Sequence, residues 1–145
     1  MNVRVIRSFG FEAAHQLPWH PGKCRDLHGH SYRLEVTVEG PVGEQGVVVD
    51  FAEVKGVVER EVIDRFDHRY LNDLLDNPTA ELIASEIWKS LEAVLSCPPG
   101  APGPTGGAGS SARRGLNQGE RAVPGLTLCR IRLWETPDCS VEIAR

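Results

Sequence analysis

Residues His28 to Glu39 alternate without a break. His28, His30, Tyr32, Leu34, Val36 and Val38 share one face, and Ser31, Arg33, Glu35, Thr37 and Glu39 share the other. Period-2 patterning of this kind specifies a β-strand with one apolar and one polar face. Such a strand cannot be stable alone, because its apolar face needs a covering layer and its edges need partners. The rest of the chain supplies both.

Val3 to His15 reads as a neighbouring strand, with Val3, Val5 and Ile6, then Phe11, Ala13 and His15, as its apolar set. The phase slips near Ser8-Phe9-Gly10, which predicts a bulge there. Asp50 is the expected N-cap of a helix, with Glu53 placed to complete a capping box. Phe51, Val54, Val58, Val62 and Phe66 form its apolar stripe. Thr79 is the expected N-cap of a second helix, with Glu81 in the first turn and Ile83, Ile87, Leu91 and Val94 facing inward. Leu126 to Glu135 and Ser140 to Ala144 read as two final strands around a Thr136-Pro137-Asp138 turn.

The order is ββααββ, an α+β arrangement in which an antiparallel sheet is covered by two helices on one face. At 145 residues the chain fits a single domain over 1–145. From about 97 to 125 the composition collapses into Pro, Gly, Ser and Ala, which predicts a flexible surface insertion.

Composition narrows the function classes. A net charge of −4 gives no electrostatic footprint for nucleic acid. No apolar run approaches the ~20 residues that span a bilayer, and the alternating N-terminus does not read as a signal peptide. The expectation is a soluble cytoplasmic protein. Of the four cysteines, Cys129 falls in an apolar strand and is expected in the core, while Cys97 and Cys139 lie beside turn signals. The absence of a CxxC pair removes support for a four-cysteine zinc site.

The chemistry concentrates in "CRDLHGHSY", Cys24 to Tyr32. Histidines at i and i+2 of a strand project to one side about 7 Å apart, close enough to converge on one ion. His15 ends the first strand in matching phase and could complete a three-histidine set. Three neutral imidazoles with an open position match a catalytic zinc site. Cys24 could be a fourth ligand, which would close the site, or a proton-transferring thiol. Asp26 reads as a turn residue. In "FDHRYLN", Asp67 can set the tautomer of His68, though an adjacent pair is equally a solvated surface feature. Glu135 ends a strand at the mouth of the apolar face, where a carboxylate can accept two parallel N–H bonds from a guanidine-like edge or simply be solvated.

Together, "FEAAHQLP", "CRDLHGHSY", "GVVVDFAEVK", "FDHRYLN", "NPTAELIA" and "LWET" resemble the 6-pyruvoyltetrahydropterin synthase superfamily in order and spacing. The three residues between Cys24 and the HGH triplet are similar to its bacterial 6-carboxy-5,6,7,8-tetrahydropterin synthase branch, which serves queuosine biosynthesis. The resemblance implies a T-fold (tunnelling fold), whose subunits pool their sheets into a barrel, commonly a hexamer built from two trimers. It implies His15, His28 and His30 as Zn2+ ligands and Cys24 as the proton-transferring residue. Asp67 and His68 would complete the relay, from the same or a neighbouring subunit. Glu135 would anchor the pterin, and Thr79 and Glu81 would help hold it. The implied reaction is a lyase step that converts 7,8-dihydroneopterin triphosphate to 6-carboxytetrahydropterin, acetaldehyde and triphosphate. Two alternatives stand beside it: a 6-pyruvoyltetrahydropterin synthase, and a non-catalytic zinc- or pterin-binding protein.

Overall fold

A computed structural model describes residues 1–96 and 125–145. The Pro/Gly-rich stretch read as an insertion therefore lies, apart from Gly125, outside the described residues, and Cys97 with it. Strands β1 (Asn2–His15) and β2 (His28–Pro41) pair antiparallel from Asn2 opposite Pro41 to His15 opposite His28 with no shift in register. The bulge expected near Ser8-Phe9-Gly10 is therefore absent. Val5, Phe9, Phe11, Ala13 and His15 keep one phase throughout, and Ile6 stands on the other face, 49% exposed. The apparent slip comes from Arg7, which takes an inward position and donates from Nη1 to the carbonyl of Phe51 at 2.6 Å.

The first helical segment runs as α1 (Phe51–Val58), a π-helical turn (Glu59–Ile63) and α2 (Asp64–Phe66). Asp50 caps it, its carboxylate accepting from the Ala52 N–H at 2.7 Å. Val54, Val58, Val62 and Phe66 are all buried. In a continuous α-helix of 3.6 residues per turn, residues spaced by four would drift around the axis by about 40° per step. The wider i→i+5 turn winds part of that drift back and keeps the stripe on the sheet. Phe51, expected in the stripe, is instead 59% exposed, because it precedes the part of the helix that reaches the sheet.

Beyond α2 the chain adds a two-residue strand, β3 (Arg69–Tyr70), parallel to β1 at Ala13 and Ala14. Helix α3 (Ala80–Leu95) follows, capped by the Thr79 hydroxyl accepting from the Leu82 N–H at 3.3 Å. Its inner face is Ile83, Ala84, Ile87, Leu91 and Leu95, with Val94 only partly buried. Strands β4 (Thr127–Thr136) and β5 (Cys139–Ala144) close the sheet in the order β3-β1-β2-β4-β5.

Two irregularities lie in β4. Arg130 pairs with Thr37 and Leu128 with Val38, leaving Cys129 as an extra residue. That single insertion lets both Leu128 and Ile131 face inward despite their odd spacing. It also takes Cys129 out of the core, where the apolar context had placed it, and its half-buried thiol donates to the Thr127 carbonyl at 3.5 Å, close to the charges of Glu39 and Arg4. The second irregularity, between Trp134 and Thr136, leaves Glu135 unpaired against β5.

The two sheet faces differ sharply. One packs Phe11, Tyr32, Leu34, Val36, Ile131 and Leu133 against the helices. The other is laced with charge: Arg4–Glu39 at 2.9 Å, Arg130–Glu35 at 2.9 Å, and the Arg33 and Arg132 guanidiniums 4.7 and 5.1 Å from the Trp134 ring centre. Among the described residues no helix is long and apolar enough to cross a membrane. Leu34 is fully buried at the centre of the packed face. Truncation of Leu34 to alanine is expected to cost about 2–5 kcal/mol, read by urea unfolding at fixed protein concentration. A loss below about 1 kcal/mol would mean that this face is not the packed one.

Candidate metal centre and active-site cavity

The unshifted β1–β2 ladder sets His15 opposite His28 and Ala13 opposite His30. All three imidazoles then rise from the inner face at the end of the sheet, with one ligand atom of each within 4.8 Å of the others. His15 is 1% exposed.

The ring hydrogen bonds decide which nitrogens carry protons. His15 Nδ1 lies 2.8 Å from the Pro78 carbonyl and His28 Nδ1 lies 2.7 Å from the Asp26 carbonyl. A carbonyl only accepts, so each Nδ1 donates and each neutral ring keeps its lone pair on Nε2. These two Nε2 atoms face each other at 3.0 Å. Two lone pairs at that distance repel unless a cation lies between them. His30 Nε2 is buried with no hydrogen-bond partner.

Burial is the main reason His30 stays below the ordinary imidazole range; His15 and His28 push the same way, and Glu135 opposes them. The 3.8 Å His30–Glu135 contact is accordingly no ion pair near neutrality. Three imidazole nitrogens, two of them oriented by backbone carbonyls and the third otherwise orphaned, fit a divalent metal such as Zn2+ with an open position.

Beside this cluster lies a cavity of about 380 Å³, lined among others by His20, Cys24, Thr79, Glu81, Glu135 and Cys139. Its size suits a small molecule. Cys24 is held in a 3-10 turn (Lys23–Arg25) whose Cys24 carbonyl accepts from the Leu17 N–H at 2.8 Å. Glu135 reaches the cavity from the second bulge of β4, a device that re-aims a side chain. Behind it, the Tyr32 ring stacks on Phe11 at 5.0 Å, and its buried hydroxyl has no partner. Burial, followed by the charge of Glu135, pushes the Tyr32 phenol well above its ordinary range.

Asp67 and His68 stand elsewhere. The Asp67 Oδ1 accepts from the Glu12 N–H at 2.9 Å, its Oδ2 lies 3.0 Å from His68 Nδ1, and the His68 N–H donates to the Glu12 carbonyl at 2.6 Å. The Glu12 N–H first, then the His68 ring, hold the Asp67 carboxyl below its ordinary range. His68 has φ +57°, a left-handed backbone uncommon outside glycine. Glu12 and His68 border a second cavity, which Gly29, His30, Ser31 and Tyr70 also line. The two cavities share no lining residue. One chain thus brings His15, His28, His30, Cys24, Glu135, Thr79 and Glu81 into one region, while His68, its side chain 79% exposed, borders the other cavity, which meets that set only at His30.

The profile of a family described as 6-pyruvoyl tetrahydropterin synthase matches residues 4–103. The chain belongs to this family. Proteins named 6-carboxy-5,6,7,8-tetrahydropterin synthase are similar to it. That of Synechocystis sp. is 46% identical over 95 residues, covering 61% of this chain and 74% of the relative. That of Haemophilus influenzae is 33% identical over 143 residues, covering 96% of each. A Pyrococcus furiosus protein named dihydroneopterin monophosphate aldolase is 43% identical over 90 residues, 62% of this chain and 74% of the relative. The fold matches the structure of Caenorhabditis elegans 6-pyruvoyl tetrahydropterin synthase with a TM-score of 0.71 at 23% identity, covering 100% of this chain and 96% of that one. The architecture is the T-fold, α+β, and the chain is a pterin synthase of the lyase type.

Four groups in this region escaped the sequence reading. The Asp26 and Pro78 carbonyls orient the rings through backbone atoms, which no residue type announces. His20 lines the cavity from the β1–β2 connection and Cys139 from the first position of β5, places that sequence patterning reads only as connection and strand edge. Replacement of His28 by alanine is expected to abolish stoichiometric metal, measured by elemental analysis of purified protein. Cys24→Ala is expected to retain it; a metal-free Cys24→Ala protein would make Cys24 a ligand.

Proposed function

We propose that this chain is a zinc-dependent 6-carboxy-5,6,7,8-tetrahydropterin synthase of queuosine biosynthesis. With one water consumed, it would convert 7,8-dihydroneopterin triphosphate to 6-carboxytetrahydropterin, acetaldehyde and triphosphate as a cytoplasmic homo-oligomer, a hexamer formed from two trimers. The observation that carries this reading is the convergence of His15, His28 and His30 beside Glu135, which together with Cys24 lines the adjoining cavity.

His15, His28 and His30 would hold Zn2+, which when bound supplies Lewis-acid polarisation of the substrate's side-chain oxygens. Glu135 would accept the two N–H groups at the guanidine-like edge of the pterin and fix the ring. Thr79 and Glu81, at the first turn of α3, border the same space and would hold the ring from its flank. With the ring so placed, the three-carbon side chain lies against the histidine cluster and Cys24. Cys24 would take a proton from a side-chain carbon and return it to the neighbouring one. These hydrogen shifts are internal to the substrate, so no redox partner is required.

His68, with Nδ1 occupied by Asp67, would present a basic Nε2 for the hydroxyl proton. Because His68 is exposed and lines the other cavity, apart from Cys24, a second copy of the chain is the natural source of the dyad that faces Cys24.

Products of dihydroneopterin triphosphate decide the chemistry. Acetaldehyde with triphosphate is the expected result. Triphosphate without acetaldehyde would indicate pyruvoyl-type elimination, glycolaldehyde triphosphate would indicate an aldolase, and no conversion would indicate a binding protein. Assembly of the relay from two copies has its own test. Cys24→Ala and His68→Ala proteins, each expected to lose about 100-fold or more in kcat, are dissociated and reassociated in equal amounts. About one quarter of the sites then unite an intact Cys24 with an intact dyad, if the sites form between copies around a closed ring. Recovery of activity toward that level is expected, and none would place the dyad's partner in its own chain or remove it from the relay.

A further inference from the structure

We propose that His20 is a positioning residue of this cavity, donating its Nε2–H to a phosphoryl oxygen of the bound substrate. The assignment rests on the reading of the substrate as a pterin triphosphate, and it adds the group that receives the triphosphate end.

The turn between β1 and β2 is built around His20. The His20 N–H donates to the Leu17 carbonyl at 2.9 Å, and the Gly22 N–H donates to His20 Nδ1 at 2.9 Å. A backbone N–H only donates, so Nδ1 is the acceptor and the neutral ring carries its proton on Nε2. Among the described residues that Nε2–H has no partner. The ring is also locked in place. A Cβ on Gly22 would lie 3.2 Å from His20 Cε1, so residue 22 has little room for a side chain. The Trp19 ring centre is 5.7 Å away, and Trp19 Nε1 donates to Asn77 Oδ1 at 2.9 Å, tying the turn to the segment that leads into α3. A half-buried, oriented donor with nothing to donate to is pre-organised for a ligand.

The rest of the cavity shows which ligand atom that is. Glu81 and Glu135 are carboxylates, suited to the N–H edge of a pterin and repulsive to phosphate. Among the described residues no lysine or arginine lines the cavity. Lys23 and Arg25, adjacent to Cys24 in sequence, are exposed and do not line the cavity, while Cys24 between them is half-buried and lines it. His20 is therefore the imidazole on the lining opposite in character to the two carboxylates, and a triphosphate that enters with its pterin on Glu135 meets it as a donor.

The test uses the metal-loaded protein with inorganic tripolyphosphate, with unphosphorylated dihydroneopterin, and with dihydroneopterin triphosphate. His20→Asn keeps an acceptor for the Gly22 N–H and loses the distal donor, whereas His20→Gln places an amide N–H near the Nε2 position. His20→Ala and His20→Asn are each expected to weaken tripolyphosphate binding about tenfold or more and to raise KM for the triphosphate substrate similarly. Dihydroneopterin affinity and metal content stay within about twofold, and His20→Gln recovers part of the loss. Wild-type tripolyphosphate affinity in His20→Asn would reduce His20 to a turn cap and overturn the proposal. So would an equal loss of unphosphorylated dihydroneopterin, or a larger effect from Lys23→Ala. If the wild-type protein turned over no pterin triphosphate, tripolyphosphate binding would still decide the role of His20, separately from the reading of the reaction.

Discussion

The uninterrupted pairing of β1 with β2 is the constraint on which the rest depends. Side chains on a strand alternate, so a slip of one residue would send every inward group outward. With Asn2 opposite Pro41 the two strands deliver Phe11 and Tyr32 to the core and His15 and His28 to one point. Core and metal cluster are thus a single register. The apolar contacts that hold Phe11 against Tyr32 at 5.0 Å are also what keep the His15 and His28 nitrogens 3.0 Å apart. A fold that packed the core in another register would have no site.

Within that frame, the donor geometry is set by backbone atoms. The Pro78 and Asp26 carbonyls impose one tautomer on His15 and His28, and both belong to segments that also carry cavity groups. Pro78 immediately precedes the Thr79 cap of α3, and Asp26 closes the turn that carries Cys24. Each orienting carbonyl therefore couples the metal cluster to the wall of the cavity. On the proposed reading, movement of the Cys24 turn would disturb His28 as well as the thiol, and the loop from Leu17 to Asp26 behaves as one part.

Much of this was legible in the sequence, and the exceptions have physical causes. The alternation of His28 to Glu39 and the Asp50 and Thr79 caps were readable because each is a local pattern with a local consequence. The supposed phase slip in β1 was misread because Arg7 occupies an inward position to bind a helix carbonyl, and hydropathy alone cannot recognise that. Cys129 and Glu135 lie at bulges of β4, which depend on pairing with β2 and β5 and leave no mark in β4 itself. Phe51 was assigned to the core on helical periodicity, which says which face a residue shares but not where the helix meets the sheet. His20 carried no signal in the sequence, because the tautomer that leaves its Nε2–H free is set by the Gly22 N–H in the folded turn.

The distribution of polarity over the sheet bears on why a site of this kind would need more than one chain. The inner face is filled by helices, and the outer face carries cross-strand pairs such as Arg4–Glu39 and Arg130–Glu35 rather than an apolar surface seeking cover. A second copy would therefore not stack on that face. It can approach at the edges, along β5 or along the part of β1 that the two-residue β3 leaves unpaired. Glu135 and Cys139 lie at one end of the β5 hairpin, while Asp67 and His68 are stitched to β1 at Glu12. Edge-to-edge pairing between copies would carry the dyad of one chain toward the hairpin of the next, along the same direction in which the sheet grows. On the proposed reading, the exposed edges and the exposed His68 answer a single requirement: the strand pairing that closes a barrel also completes the relay.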